Sequence, residues 1–191
     1  MRKLFNRRKQ VVETAVDSDD SLLHIAIAGG SLCEWERFGS HWETRIQELT
    51  ELMSPFGVQF LSLYPHGPDI DDHKVQTQTF DRQVIINGMN VTVHSSTDGR
   101  ERICLALQEF SVTEIVTESL LDQRLFGGAG DPDLVVVLGP ANCLPRSLVW
   151  ELAYSEIVFV EQSWTMLSLE KIQSAIQEYF LRHRRFGGVD T

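Results

Sequence analysis

A glycine turn near the start of the chain is the first place where the sequence could do chemistry. Gly29-Gly30-Ser31 follows the apolar run Leu22–Ala28 and precedes a segment with helical periodicity. Backbone N–H groups in such a strand-to-helix turn can bind a phosphate. Glu34 argues against this role, because it places a carboxylate beside the same donors. Ser31 and Glu34 instead form the pattern of a helix capping box.

A loop rich in histidine and aspartate is the second candidate. After the apolar run Val58–Tyr64 it contains His66, Asp69, Asp71, Asp72 and His73. These residue types ligate metals, but proline and glycine interrupt the loop, which is more typical of a solvated turn. We therefore predict no metal ligand in this chain.

The three cysteines are a third candidate. Cys33, Cys104 and Cys143 are far apart and lack the spacing of a redox or zinc motif, so we expect reduced thiols in a cytoplasmic protein. No histidine and aspartate pattern accompanies Cys143 to make it a nucleophile. We expect it to be a small buried residue, and we predict no catalytic residue.

The composition limits the partners. The formal net charge is −10 over 191 residues, which argues against nucleic-acid binding because phosphate contacts need a basic surface. We find no apolar run of membrane-spanning length and no signal-peptide pattern. Residues 1–20 form a predicted flexible segment whose first half is basic. That half could contact an anionic membrane peripherally, although a solvated terminus is the simpler interpretation.

Residues 21–191 are predicted to form one α/β domain, with a parallel sheet flanked by helices. Apolar runs, and a hairpin with Asn87-Gly88 as a type I′ turn, predict strands at Leu22–Ala28, Val58–Tyr64, 84–93, Leu134–Leu138 and Ile157–Val160. Helical periodicity predicts helices over 35–55, 100–110, 112–125, 144–154 and from Leu169 onward. We expect the last helix to end in a basic turn that includes a solvated Arg182.

Several motifs connect these elements to a known family. The C-terminal third contains Pro132-Asp133-Leu134, Leu148, Trp150, Ala153-Tyr154-Ser155-Glu156, Phe159, Trp164 and Arg184-Arg185-Phe186-Gly187-Gly188-Val189. Upstream are His24-Ile25-Ala26-Ile27 with Trp35, and Gly99-Arg100 with Ile103. Together they resemble the cis-prenyltransferases, the undecaprenyl diphosphate synthase family. The resemblance implies that family's fold with a shortened tunnel region, because little chain separates Tyr64 from Gly99.

The same resemblance implies that the family's catalytic groups are missing. Gly30 stands where the family has a magnesium-binding aspartate, and Leu32 stands at an asparagine. Glu34, Val137 and Cys143 stand where arginines bind diphosphate. The family joins an allylic diphosphate to isopentenyl diphosphate, which requires a metal and cationic groups to stabilise the phosphate charges. We therefore expect the chain alone to be inactive.

The C-terminal tail, Arg185, Phe186, Gly187 and Gly188, keeps the family's pattern. In heteromeric family members such a tail belongs to a catalytically silent subunit and binds isopentenyl diphosphate in the partner's site. A guanidinium can donate two hydrogen bonds to a phosphate, and glycine lets backbone N–H groups approach. The alternative is an ordinary basic helix end. The resemblance also predicts a dimer interface at Trp150, Tyr154, Glu156, Ile157, Phe159 and Trp164.

We interpret the sequence as a non-catalytic subunit, similar to the Nogo-B receptor type, of a heteromeric cis-prenyltransferase that makes a long-chain polyprenyl diphosphate. The chain is expected to bind no cofactor, and magnesium is expected in the catalytic partner. Two alternatives stay open. One is a homodimeric binding or regulatory protein that kept the fold. The other is an enzyme with a changed reaction, against which the missing aspartate and arginines count.

Overall fold

The computed structural model describes residues 21–67 and 80–182. The strands are β1 (His24–Ala28), β2 (Phe60–Tyr64), β3 (Arg82–Ile86), β4 (Met89–Val93), β5 (Leu134–Leu138) and β6 (Glu156–Val160). The α-helices are α1 (Leu32–Phe38), α2 (His41–Met53), α3 (Gly99–Gln108), α4 (Glu118–Phe126) and α5 (Leu169–Leu181). None of the helices in these parts of the chain is both long and apolar enough to cross a membrane.

The strands form one six-stranded sheet in the order β3-β4-β2-β1-β5-β6. Every neighbouring pair is parallel except β3 and β4, which form an antiparallel hairpin at one edge. Asn87 and Gly88 adopt positive φ angles of 52° and 79°, as a type I′ turn requires. The predicted parallel sheet with flanking helices is therefore confirmed, and so is the predicted hairpin.

The two faces of the sheet are covered differently. On one face, α1, α2 and α5 pack over the larger core. Trp35, Trp42 and Trp164 lie together in that core, with ring centroids between 4.6 and 6.0 Å apart. On the other face a smaller cluster brings Ala26 against Leu148. The segment between β5 and β6 therefore covers much of this second face.

That segment forms no helix, so the prediction of a helix over residues 144–154 is wrong. The backbone groups beside Pro145 bond to other parts of the chain instead of along a helix. Arg146 donates its N–H to the carbonyl of His66 at 2.8 Å, and Gly99 donates its N–H to the carbonyl of Arg146 at 2.9 Å. These bonds hold the segment as a series of turns against the loop after β2 and the start of α3.

Two helix boundaries also differ from the prediction. The helix predicted over 35–55 is divided, because Gly39 has a φ of 55° and ends α1 before α2 begins. The helix predicted over 112–125 begins only at Glu118. There the hydroxyl of Thr117 accepts a backbone hydrogen bond from the first turn and caps the helix.

Candidate functional site

A pocket of about 540 Å³ opens at the carboxyl ends of β1, β2, β5 and β6. Parallel α/β sheets commonly bind ligands at this edge. The pocket is lined by Gly30, Glu34, His66, Leu138, Gly139, Pro140, Glu161, Gln162 and Ser163. Residues at or just after the end of each of the four strands contribute to the lining, so the sheet itself positions the site.

The glycine turn after β1 forms one wall of the pocket. The indole N–H of Trp35 donates to the carbonyl of Gly29 at 2.9 Å and fixes the turn against α1. A Cβ atom at Gly29 would stand 2.6 Å from the side chain of Leu138. Gly30 has a φ of 72°, and a Cβ atom there would lie 3.0 Å from Glu34 Oε2. Glycine therefore suits both positions for steric reasons.

The pocket is acidic. Glu34 and Glu161 line it, and the lining contributed by the described residues includes no lysine or arginine. The Ser31 hydroxyl accepts the N–H of Glu34 at 3.2 Å, which is half of the expected capping box. The Glu34 carboxylate instead accepts the N–H of Thr165 at 3.3 Å. Two carboxylates in one pocket repel a diphosphate, so the described lining of this pocket lacks the charge that a phosphate ligand needs.

Two of the three arginine positions inferred from the family, Val137 and Cys143, carry uncharged side chains. Val137 is fully buried within β5, and Cys143 is exposed on the turns that follow it. The exposure of Cys143 corrects the prediction of a small buried residue, because the absence of the expected helix leaves it on the surface. Neither side chain can stabilise a diphosphate with a positive charge.

Among the described residues, no set of side chains fits a magnesium ion. Within 21–67 and 80–182, no three histidine, cysteine, aspartate or glutamate side chains are grouped to hold a metal. His66 lines the pocket, whereas Asp69, Asp71, Asp72 and His73 lie outside the described residues. Glu156, a residue of the predicted interface, accepts a hydrogen bond from the Arg182 guanidinium at 2.9 Å. A cation of the same chain therefore balances that carboxylate.

The residues predicted at the dimer interface differ in exposure. Tyr154 is 67% exposed and is available to a partner. Trp150, Ile157 and Phe159 are half-buried and pack against apolar clusters of their own chain. Trp164 is completely buried beside the other two core tryptophans, which leaves it no surface for a partner. The assignment of Trp164 to an interface is therefore corrected, because it belongs to the core.

The predicted tail residues Arg185, Phe186, Gly187 and Gly188 lie outside the described residues. The described chain ends at Arg182, which the sequence pattern predicts to be solvated. In the structure its guanidinium instead donates to carboxylates and to a backbone carbonyl of β6. Arg182 therefore belongs to an ordered contact between the end of α5 and the start of β6.

A buried polar cluster on the second face of the sheet was not predicted. His24 Nδ1 lies 2.9 Å from the carbonyl of Gly130, and because a carbonyl only accepts, this nitrogen carries the proton. His24 Nε2 then accepts from the Ser62 hydroxyl at 2.8 Å. The rings of Tyr64 and His94 stack with centroids 4.4 Å apart. The sequence did contain a signal for this cluster, namely polar residues at alternating positions of otherwise apolar strands.

An ion pair completes this cluster. The Arg102 guanidinium of α3 lies 4.9 Å from the centroid of the Tyr64 ring and forms a salt bridge with Glu151. Glu151 has no solvent exposure and also accepts the N–H of Val149 at 3.1 Å. The pair therefore ties the turns between β5 and β6 to α3.

Acid is expected to destabilise the fold through His94. Burial, and then the charges of Arg102 and His24, lower the pKa of His94 to about 3 from its ordinary 6.5. Below pH 6.5 the unfolded chain then binds a proton that the folded chain does not, so stability falls as pH falls. This residue should contribute a loss of about 2 kcal/mol between pH 7 and pH 5.

Urea unfolding at several pH values, compared between the wild type and His94→Gln, measures this effect. The variant should lose less stability between pH 7 and pH 5, whatever its stability at pH 7. Parallel pH profiles for the two proteins would contradict the prediction, because carboxylate titration is common to both.

Comparisons with known proteins find similarity between this chain and one family of prenyltransferases. The prenyltransferase family model, described as undecaprenyl diphosphate synthase, matches residues 70–187. An isoprenyl transferase of Listeria innocua is 39% identical over 94 residues, which are 49% of this chain and 37% of that protein. The Micrococcus luteus ditrans,polycis-undecaprenyl-diphosphate synthase is 29% identical over 133 residues, 63% of this chain and 53% of that protein. The matches thus span about a third to a half of these relatives.

Solved structures show the same fold over most of the chain. A probable undecaprenyl diphosphate synthase from Campylobacter jejuni superposes with a TM-score of 0.59 at 20% identity, covering 87% of this chain and 98% of that one. Lavandulyl diphosphate synthase from Lavandula x intermedia superposes with a TM-score of 0.57 at 13% identity, covering 86% and 97%.

Proposed function

The chain belongs to the cis-prenyltransferase family of undecaprenyl diphosphate synthases, and from that premise we propose that it is a non-catalytic accessory subunit of a heteromeric cis-prenyltransferase. In this role it resembles the Nogo-B receptor type of subunit. The complex makes a long-chain polyprenyl diphosphate. The catalytic partner holds magnesium and both substrates, and this chain contributes its C-terminal tail to the partner's isopentenyl diphosphate site.

The acidic pocket is the observation that carries the proposal. Two diphosphates can share a site only where cations balance their charge. The described lining of the pocket at the ligand-binding edge of the sheet includes Glu34 and Glu161 and no lysine or arginine. A pocket without cations in its described lining is what we expect of a subunit that supports a catalytic partner.

The direction of α5 supports a contribution in trans. The helix starts beyond the carboxyl end of β6 and returns to the strand's amino end, where Arg182 contacts Glu156 and Ile157. Glu161, which lines the pocket, follows Ile157 by four residues, which corresponds to about 13 Å along an extended chain. Arg182, the last described residue, therefore lies at the opposite end of β6 from the chain's own pocket. We expect a neighbouring subunit to receive the tail that follows it.

Co-expression with a catalytic member of the family tests the assembly. We expect the two chains to co-elute from size exclusion and to transfer prenyl groups together. A chain that only self-associates, and that leaves the partner's activity unchanged, would favour the second candidate, a homodimeric binding or regulatory protein. The exposed apolar surface at Tyr154 is compatible with either pairing.

Tyr154→Glu should weaken the heterodimer by about ten- to thirtyfold, because exposed aromatic rings commonly anchor interfaces and a charge at the same position would oppose the apolar contact. Tyr154 is a better probe than Phe159, which packs on its own chain, so Phe159→Glu would also disturb the fold. The dissociation constant can be measured by titrating labelled partner. Met166→Glu, at an exposed residue outside the predicted interface, is the control. If the wild type, Tyr154→Glu and Met166→Glu bind the partner with equal affinity, the interface lies elsewhere.

A further inference from the structure

We propose that an apolar surface at the end of α3 is a docking site for residues 1–10 of the same chain. This surface, the α3–α4 patch, consists of Leu105, Leu107, Val112, Ile115 and Val116. The proposed accessory function assigns no role to it, and the inference does not depend on that function. Any other partner that uses the patch must first displace residues 1–10.

The α3–α4 patch concentrates exposed apolar side chains in one stretch. Val112 is fully exposed, and Ile115 and Leu105 are 82% and 53% exposed. Ala106 and Phe110 of the same stretch pack with α4 in a small cluster, so the exposed side chains lie on its outer side. Single exposed apolar residues are common, but a group of them marks an interaction surface. The patch therefore needs an apolar partner.

The patch has an acidic rim. Exposed carboxylates in and beside it belong to Glu101, Glu109, Glu114 and Glu118. The cations of the two helices are Arg100, Arg102 and Arg124. Arg102 and Arg124 are already paired with Glu151 and Glu109, which leaves Arg100 to oppose the carboxylates. Such a rim attracts a cationic segment and repels an anionic membrane or a nucleic acid.

Residues 1–10 have the matching chemistry. They lie outside the described residues, and their sequence is MRKLFNRRKQ. Leu4 and Phe5 are apolar, and the positive charges beside them belong to Arg2, Lys3, Arg7, Arg8 and Lys9. No acidic residue interrupts the segment, although the whole chain has a formal net charge of −10. An apolar pair flanked by cations is complementary to an apolar patch with an acidic rim.

The patch is within reach of this segment. Leu23 donates its N–H to Asp133 Oδ2 at 2.7 Å, and His24 Nδ1 lies 2.9 Å from the Gly130 carbonyl, so the start of β1 is held beside the residues that follow α4. The length of α4 is about 13 Å, and residues 127–130 add at most about 14 Å. Residues 11–22 can span about 40 Å, which is enough to bring residues 1–10 to the patch. Tethering of this kind gives an effective concentration on the order of millimolar.

Hydrogen exchange of the full-length chain tests the contact. In Leu4→Asp/Phe5→Asp, amides of residues 105–117 should exchange about three- to tenfold faster than in the wild type, because the patch is uncovered. Exchange in β1 and β5 should not change. Arg7→Glu/Arg8→Glu should produce a smaller increase in the same amides. High salt should do the same to the wild type, because it screens the charges of the rim.

Photochemical cross-linking locates the contact. With Phe5 replaced by p-benzoylphenylalanine, irradiation should join residue 5 to residues 105–116 of the same chain. Val112→Asp/Ile115→Asp, at two exposed positions, should lower the yield by about tenfold, because charges oppose the apolar contact. Met166→Asp, at an exposed apolar residue outside the patch, is the matched control and should leave the yield unchanged. The melting temperature of each variant verifies that it is folded.

Three results would overturn the inference. One is equal exchange of residues 105–117 in the wild type and in Leu4→Asp/Phe5→Asp. Another is a cross-link that falls outside residues 105–116, or a yield that Val112→Asp/Ile115→Asp does not lower. The third is a cross-link between two copies, which a mixture of isotopically light and heavy chains distinguishes from one within a single chain. The accessory function is tested separately, with the catalytic partner.

Discussion

Prenyl transfer by the purified chain alone is expected to remain at background. Gly30 offers no metal ligand, Val137 and Cys143 offer no cation, and Glu34 adds a repelling charge at the pocket. Loss of a single charge-stabilising group typically lowers turnover by roughly a hundred- to a thousandfold, and here several are absent together. Incubation with farnesyl and isopentenyl diphosphates and magnesium, followed by product extraction, measures the effect.

Two controls accompany this assay. Glu34→Arg in the isolated chain should also stay at background, because it restores one cation and no metal ligand. The heterodimer, assayed at the same concentration, should be active. Turnover by the isolated wild type at the level of an ordinary family enzyme would reject the silent-subunit proposal and favour an enzyme with changed site chemistry.

Arg185→Ala should lower turnover of the heterodimer per isopentenyl diphosphate by about ten- to a hundredfold. A charge-assisted hydrogen bond contributes roughly 1.5–3 kcal/mol, and each 1.4 kcal/mol corresponds to a factor of ten. Assembly should be unaffected, because the substitution lies outside the predicted apolar contact. Initial rates at subsaturating isopentenyl diphosphate, with size exclusion of the same sample, measure both properties.

The choice of control for this experiment follows from the structure. The sequence pattern suggests Arg182→Ala as the control for Arg185→Ala, but the Arg182 guanidinium donates hydrogen bonds to β6. Lys171→Ala is used as the control instead, because it removes an exposed cation from the same helix. Deletion of residues 186–191 should reproduce the Arg185→Ala loss by removing the glycine donors. Full activity of the Arg185→Ala complex would reduce the tail to a helix end and leave the homodimeric alternative as the better interpretation.

Strands and the hairpin were predictable because their signals are local. The run Leu134–Leu138 is apolar throughout, as a strand buried on both faces must be, and all five residues are buried. Asn87-Gly88 determines its turn through backbone conformation alone. The acidic pocket was partly predictable as well, because Glu34 was expected beside the glycine turn, whereas Glu161 was not singled out.

The failures come from tertiary contacts that periodicity cannot report. The spacing of Leu144, Leu148 and Leu152 fits a helix, yet the backbone there bonds to the loop after β2 and to α3 instead. Trp164 was assigned to an interface from its place in a motif, although its ring packs within the core. Arg182 was expected in solvent because two of its three acceptors, Glu156 and Ile157, are distant in sequence.

The glycine turn also bears on how this chain could evolve. Because Gly30 has a φ of 72° and a Cβ atom there would stand 3.0 Å from both Glu34 Oε2 and Trp35 Nε1, an aspartate at this position would be strained and would meet a second carboxylate. A single substitution back to the family's residue would therefore harm the fold before it restored a metal ligand. Under the proposed accessory function, a metal ligand could therefore return to this turn only together with a change at Glu34.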